Sequence, residues 1–357
     1  MPKLLLRERA GGCEIPRFVV ESGLVTVLFH THLSHEFPYM MEALRQRHRD
    51  HEFRVCEDRG KLVEELAGAH VLVSGPLESE LLEKAPELRL QIIPFAGVNR
   101  VDLEALRRRG ILLANSHGNA SLVAERAVAL ALAAAGRVVE FDQDLRAGAW
   151  HRTKNPRQPF DYWHSLLGRP LAVLGTGAIG RGVVRLMRPF GGRITGLRRR
   201  SGGDPREEPA ETLFDEVTDD LDAALRGAEL VFVCLPLTPA TRDLIGPREL
   251  ALMKDGVLVN VSRAQIVQEE ALYAALRAGA LRAAGLDVWY RSPSPFYATE
   301  PPGNLPFQEL KNVVLSPHAG SHAVEGKRLQ LEGAIANIDL FLQEGRLLTP
   351  VDLEAGY

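Results

Sequence analysis

Short apolar runs alternate with longer mixed stretches along most of this chain. The first clear run is "LVTVLFH" (24–30), rich in β-branched and aromatic residues, and "EFPYMMEALRQRH" behind it reads as a helix. "AHVLVSG" (69–75), "LRLQIIPFAG" (88–97) and "GILLANS" (110–116) repeat the pattern, with Glu-, Leu- and Arg-rich helical stretches between them. Strand and helix alternating in this way predict a parallel α/β sheet. Residues 1–22 lack such periodicity and read as an arm or tail.

From Ser121 the pattern changes. "SLVAERAVALALAAAGRVVEFDQDLRAGAW" reads as one long Ala- and Leu-rich helix, with Asn119 or Ser121 as its N-cap. Its apolar residues cover more than one stripe, so broad burial is expected, as at a subunit interface. After the polar, Pro-containing "HRTKNPRQPFDYWHSLLGRP", a second α/β series follows: "LAVLGTG", "GRITGLR", "AELVFVCLP", "GVLVNVS", "AAGLDVW" and "NVVLSPH". Leu331, Ile335, Ile338 and Leu342 then recur at helical spacing in one last amphipathic helix.

Length turns these two series into two expected domains, since 357 residues exceed what one compact core usually holds. A net charge of −3 gives no general attraction to nucleic acid or to an anionic membrane surface. Cys13, Cys56 and Cys234 are scattered and odd in number, which suits a reducing compartment better than a disulfide framework. "MPKLLLRERAGG" resembles neither a signal peptide nor an anchor, and no run approaches the ~18 apolar residues that span a bilayer. A cytoplasmic, soluble protein is expected. His30, His32 and His35 lie close in sequence, but no acid or cysteine converges on them, so loop polarity is expected there and no metal site.

The chemistry concentrates in the second series. Gly175-Thr176-Gly177-Ala178-Ile179-Gly180 directly follows an apolar strand and opens a helix, the context that gives a GxGxxG spacing its meaning. Gly175 allows the tight turn, Gly177 lets backbone approach a pyrophosphate, and Gly180 lets helix and strand pack closely. The anion then rests on the N–H groups that open the helix. Where an NAD-selective fold carries an acid for the ribose 2′-OH, "RITGL" ends in Arg198, Arg199 and Arg200. A guanidinium holds a 2′-phosphate that a carboxylate would repel, so NADP(H) is favoured over NAD(H).

Taken in order, "FAGVNRVDL" (95–103), "NSHGNASLVAERAVAL" (115–130), "GTGAIGRG" (175–182), "CLPLTPATRDLIG" (234–246), "LVNVSRAQIVQEEALYAAL" (258–276), "GLDVW" (285–289) and "NVVLSPHAG" (312–320) resemble the D-isomer-specific 2-hydroxyacid dehydrogenases. The resemblance runs from about residue 24 to near the end. It implies an α/β fold of two Rossmann-like parallel-sheet domains. The cofactor domain (118–316) would be inserted into a discontinuous, flavodoxin-like substrate domain (1–117 plus 317–357), with the cleft between them. It also implies a homodimer, a small anionic substrate, and hydride exchange between NAD(P)H and a 2-oxo or D-2-hydroxy acid. Carried over residue by residue, Arg263 would bind the substrate carboxylate and carbonyl, and His318 would be the acid/base. Backbone at Ala96, Gly97 and Val98 would cradle the carboxylate. Asp287 and Gly320 would lie near the nicotinamide, Thr176, Ala178 and Ile179 along the pyrophosphate, and Cys234, Leu235, Pro236 and Thr241 on the adenosine side.

One departure stands out. The family places a Glu five positions after the Asp of its "LDV" segment, before a proline, to bond the histidine and keep it protonated. Here that count from Asp287 lands on Ser292-Pro293. Glu300-Pro301, in the same proline-rich segment, is the candidate substitute. Formate dehydrogenases of the same fold carry a Gln at this slot, so a relative acting on a formate- or phosphite-like anion is an alternative. A dinucleotide-binding sensor with weakened turnover is another. The retained Arg263 and His318 argue against the sensor, because a pure binding module needs neither.

Overall fold

The computed structural model describes residues 4–10, 13–18, 23–150, 162–199, 210–253, 255–291 and 303–357. They form two units, 1–119 with 322–357 and 120–321. Residues 1–22, expected as an arm, contain an antiparallel pair, β1 (Leu4–Ala10) and β2 (Cys13–Phe18). Both strands are short, and no period-2 alternation announces them.

The first unit is built on a five-stranded, wholly parallel sheet. Its strands are β3 (Thr26–His30), β4 (Glu52–Val55), β5 (Val71–Ser74), β6 (Leu90–Ile92) and β7 (Leu112–Ala114). The spatial order β4-β3-β5-β6-β7 is the flavodoxin-like arrangement, whose reversal of strand order lies between β3 and β5. β5 is buried at every position: Val71 and Val73 pack into one core layer and Leu72 into the other. Burial on both faces is why such strands read as continuous apolar runs. β4 had no such signal. "EFRV" lies at the sheet edge, where only Phe53 is buried. The last helix, Gly326–Glu344, lays Leu331, Ile335, Ile338 and Leu342 on one of these layers.

The second unit holds β8 (Leu171–Leu174), β9 (Ile194–Leu197), β10 (Glu216–Thr218), β11 (Leu230–Val233), β12 (Val257–Asn260), β13 (Ala283–Leu286) and β14 (Val313–Leu315). All seven are parallel, in the order β10-β9-β8-β11-β12-β13-β14, and the order reverses between β8 and β11. This is the dinucleotide-binding arrangement, with one strand added at its far edge. β10, "EVT", is the opposite edge strand and also gave no sequence signal.

The expected single helix from Ser121 is two, Ala120–Ala135 and Val138–Arg146. The break is local: Arg137 takes a left-handed backbone (φ 53°), and a Cβ on Gly136 would lie 2.6 Å from the Leu132 carbonyl oxygen. Small residues let the first helix approach its neighbours. A Cβ on Gly285 of β13 would sit 2.8 Å from Leu130 Cβ, and one on Gly182 2.7 Å from Ala124 Cβ. Much of the alanine in this helix is therefore internal packing within its own unit.

Candidate active site

The residues singled out in the second unit gather at the carboxyl ends of its strands, where this fold binds ligands. β8 runs into the glycine turn. Gly175 has φ +108°, and a Cβ there would come within 2.7 Å of the Cys234 carbonyl oxygen. A Cβ on Gly180 would collide with the Gly175 carbonyl oxygen. Gly177 is different: nothing lies within 4 Å of its Cβ direction, so the turn is open on that side. The helix Ala178–Met187 starts behind it with no side-chain cap, leaving its first N–H groups directed outward. Ala178 and Ile179 form its first turn, and Thr176 is buried beneath it. An open backbone cradle at an uncapped helix start fits a dinucleotide pyrophosphate.

The sequence did not mark Arg181, yet it is buried in this turn and donates from Nε to the Thr176 carbonyl at 2.9 Å. Across the switch point, the loop after β11 is folded by Thr241. Its hydroxyl donates to the Pro236 carbonyl at 2.6 Å and accepts the Thr238 N–H at 2.8 Å. Burial pushes the Cys234 thiol up to about 12, so it is a neutral wall group like the neighbouring Leu235. Arg198 and Arg199 directly follow β9 in the chain, the position where the sequence offers arginines and not an acid. Arg200 lies outside the described residues.

Arg263 follows β12 in extended backbone (φ −139°, ψ 139°) and donates from Nη1 to the Ser262 carbonyl at 2.7 Å. Asn260 fixes this turn: its Nδ2 donates to the Arg263 carbonyl at 3.1 Å, and its Oδ1 accepts the Ser262 N–H at 3.1 Å. The Ser262 hydroxyl in turn donates to the Leu235 carbonyl, joining the loops after β11 and β12. Burial pulls the Arg263 pKa down from its ordinary value, but a guanidinium starts so high that it stays charged. A fixed, planar cation of this kind suits a planar carboxylate.

His318 follows β14 with φ 55°, a left-handed backbone rare for a residue with a side chain. Asp287, just after β13 and 1% exposed, is bonded to that loop. Its Oδ1 accepts the Ala319 N–H at 2.9 Å and the Ser316 hydroxyl, and its Oδ2 accepts the Gly320 N–H at 2.8 Å. With two acceptor positions per oxygen, Oδ2 keeps one for a further donor such as a carboxamide. Ser292 and Glu300 lie outside the described residues. The chain before and after them is anchored: the Tyr290 hydroxyl donates to the Val267 carbonyl at 2.8 Å, and buried Glu269 accepts from Asn304 N at 2.5 Å and Asn304 Nδ2 at 2.7 Å.

In the first unit, Ala96, Gly97 and Val98 form the loop after β6. Asn115 Nδ2 donates to the Ala96 carbonyl at 2.8 Å. The fully buried Asn337 of the last helix supports Asn115: Nδ2 donates to its carbonyl at 3.1 Å, while Oδ1 accepts the N–H groups of Leu348 and Thr349 at 3.0 and 3.1 Å. Neither amide was singled out from sequence. His30 Nδ1 donates to the Cys56 carbonyl at 2.7 Å, whereas His32 and His35 face Glu36 and Glu57 at 3.7 and 3.6 Å near the surface. Among the described residues, no cluster of three His, Cys, Asp or Glu side chains could hold a metal. No helix among them is long and apolar enough to cross a membrane.

The NAD binding domain of the D-isomer specific 2-hydroxyacid dehydrogenases matches residues 128–320. The chain belongs to this family. It is 33% identical over 289 residues to the glyoxylate reductase of Thermococcus litoralis, an alignment covering 79% of this chain and 83% of that one. The D-3-phosphoglycerate dehydrogenase of Methanocaldococcus jannaschii is 34% identical over 275 residues. That match covers 75% of this chain but 49% of the relative, so the chain spans about half of that enzyme's length. Among solved structures, the NADPH-dependent glyoxylate/hydroxypyruvate reductase of Sinorhizobium meliloti, crystallised with NADP and malonate, aligns with TM-score 0.69 and 26% identity, over 93% of this chain and 98% of that one. As a member of this family the chain is an NAD(P)-dependent oxidoreductase that exchanges hydride with 2-oxo or 2-hydroxy acids.

Proposed function

We propose that this enzyme reduces a small 2-oxo acid of the glyoxylate or hydroxypyruvate type, with NADPH preferred over NADH. The observation that carries the cofactor preference is the end of β9, where Arg198 and Arg199 stand in place of an acid. When bound in the glycine turn, the dinucleotide supplies the hydride. Arg263 then holds the substrate carboxylate and carbonyl in one plane, and His318 delivers a proton to the carbonyl oxygen as charge develops there. Ala96, Gly97 and Val98 offer backbone N–H groups to the carboxylate, a role taken from the family resemblance. The catalytic acid's place falls to Ser292 or Glu300.

The enzyme acts as a homodimer in this reading. Val138, Leu145, Trp150 and Trp163 are 58%, 55%, 73% and 59% exposed in the single chain, large apolar groups that a second copy would cover. Loss of nicotinamide absorbance, followed with NADPH and NADH against glyoxylate, hydroxypyruvate and phenylpyruvate, tests the assignment. Turnover that disappears in His318→Ala supports it. Turnover that survives in His318→Ala, or no turnover while NADPH still binds, overturns it.

A further inference from the structure

We infer that Arg126, on the Ala120–Ala135 helix, is a positioning residue for His318, acting through Ser316 and Asp287. The inference rests on His318 being the proton donor proposed above. A left-handed backbone at a histidine persists only where its surroundings enforce it. Here the enforcement is specific. The His318 N–H donates to the Ser316 carbonyl at 3.0 Å, and Trp289 Nε1 donates to the same oxygen at 2.8 Å. Beyond the histidine, Asp287 holds the next two N–H groups, of Ala319 and Gly320. Gly320 is pressed so close that a Cβ on it would be 2.9 Å from Asp287 Oδ2.

The Ser316 hydroxyl completes this clamp by donating to Asp287, but a hydroxyl with one hydrogen can rotate to other acceptors. Arg126 removes that freedom. Its Nη2 donates to Ser316 Oγ at 2.9 Å and its Nε at 3.3 Å, occupying the lone pairs and leaving the proton directed at Asp287. Both Ser316 and Asp287 are buried, and the Asp287 carboxylate accepts from neutral groups, the Ser316 hydroxyl and the Ala319 and Gly320 N–H groups. Among the described residues, the guanidinium therefore supplies, through one hydroxyl, the positive charge nearest to this buried carboxylate's hydrogen-bond network. Arg126 itself lies on an exposed stretch of its helix, so replacing it leaves the fold intact.

The test compares Arg126→Ala, Ser316→Ala, the double variant and Arg126→Lys, each checked for an unchanged melting temperature. Arg126→Ala should lower kcat about tenfold, less than the roughly hundredfold that a full ~1 Å misplacement can cost, with NADPH affinity unchanged. Ser316→Ala should do the same, the double variant should lose no more than the worse single, and lysine should restore part of the rate. A kcat within twofold of the parent in Arg126→Ala, losses that multiply in the double variant, or NADPH affinity falling in step with kcat would each overturn the inference. The His318 imidazole cross-peak in a 1H–13C spectrum reads the same coupling without turnover. It should shift in Arg126→Ala, and a coincident peak overturns the inference. An inactive parent enzyme with a shifted peak would instead count against the proposed reaction and leave the coupling standing.

Discussion

The two parallel sheets hold their candidate site loops by opposite means. In the seven-stranded unit the phosphate turn is shaped by missing side chains: Gly175 and Gly180 let backbone meet backbone, and Gly177 leaves space for a ligand. In the five-stranded unit the loop at Ala96–Val98 is shaped by buried amides, with Asn337 supporting Asn115 and Asn115 supporting Ala96. A loop made by absence tolerates no added atom. A loop made by hydrogen bonds tolerates no lost one.

The comparison breaks first at Gly180. Gly180→Ala forces a Cβ into the Gly175 carbonyl and should cost about 3 kcal/mol of stability, with dinucleotide binding lost as the turn opens. Gly177→Ala, whose Cβ meets nothing, should leave the melting temperature unchanged and weaken NADPH binding alone. Urea unfolding and fluorescence titration of both variants separate the two roles; equal behaviour would show that the turn is not built as described. On the other side, Asn337→Ala empties a fully buried site and removes the side-chain acceptor of the half-buried Leu348 and Thr349 N–H groups, so roughly 2 kcal/mol should be lost. That loss should fall on the five-stranded unit, which hydrogen exchange at Val73 and Val173 would distinguish.

This contrast also explains what the sequence could disclose. Glycines at fixed spacing after an apolar strand are visible as letters, and so were the central strands, because burial on both faces makes them continuously apolar. β4 and β10 escaped because edge strands need little apolar surface, and the helix break at Gly136–Arg137 escaped because helix-compatible sequence, alanine-rich before it and polar after it, continues on both sides. Asn115 and Asn337 are 222 residues apart, and Arg126 and Ser316 are 190 apart. No local pattern predicts a hydrogen bond across such a separation. The glycine turn was legible; the supports of the Ala96 and His318 loops became visible only once the chain was folded.

Cofactor choice sharpens the seven-stranded side of the comparison. If Arg198 reads a 2′-phosphate, Arg198→Ala should weaken NADPH binding about tenfold, the scale of one charge-assisted hydrogen bond, and leave NADH almost unaffected. Parallel loss of both dinucleotides would place Arg198 in the general support of the turn instead.

The smallest effect separates the units by pH. His70 Nδ1 accepts the Thr26 N–H at 3.1 Å and His51 Nδ1 accepts the Val25 N–H at 3.3 Å, so both rings must be neutral at that nitrogen to hold the start of β3. Burial, as the leading cause, pulls both pKa values below the ordinary 6.5, with His48 adding to the effect at His51 and Glu87 opposing it at His70. A histidine whose folded pKa lies below its unfolded one contributes its full stability above 6.5, and that contribution is lost as pH falls through 6.5 toward the folded value. Solvent screens both rings, so acidification to about pH 5.5 should lower the melting temperature of the five-stranded unit by only about 1–2 °C from this source. His70→Gln keeps an acceptor and removes a titrating group, so it should flatten part of that dependence. His164, in the other unit, is also held low, by burial and then by Arg282, but among the described residues no backbone N–H of a strand rests on it. The protection of the Thr26 N–H, taken relative to the intrinsic exchange rate at each pH, should therefore fall on acidification before that of Val173 does, and the reverse order would assign the acid sensitivity to His164.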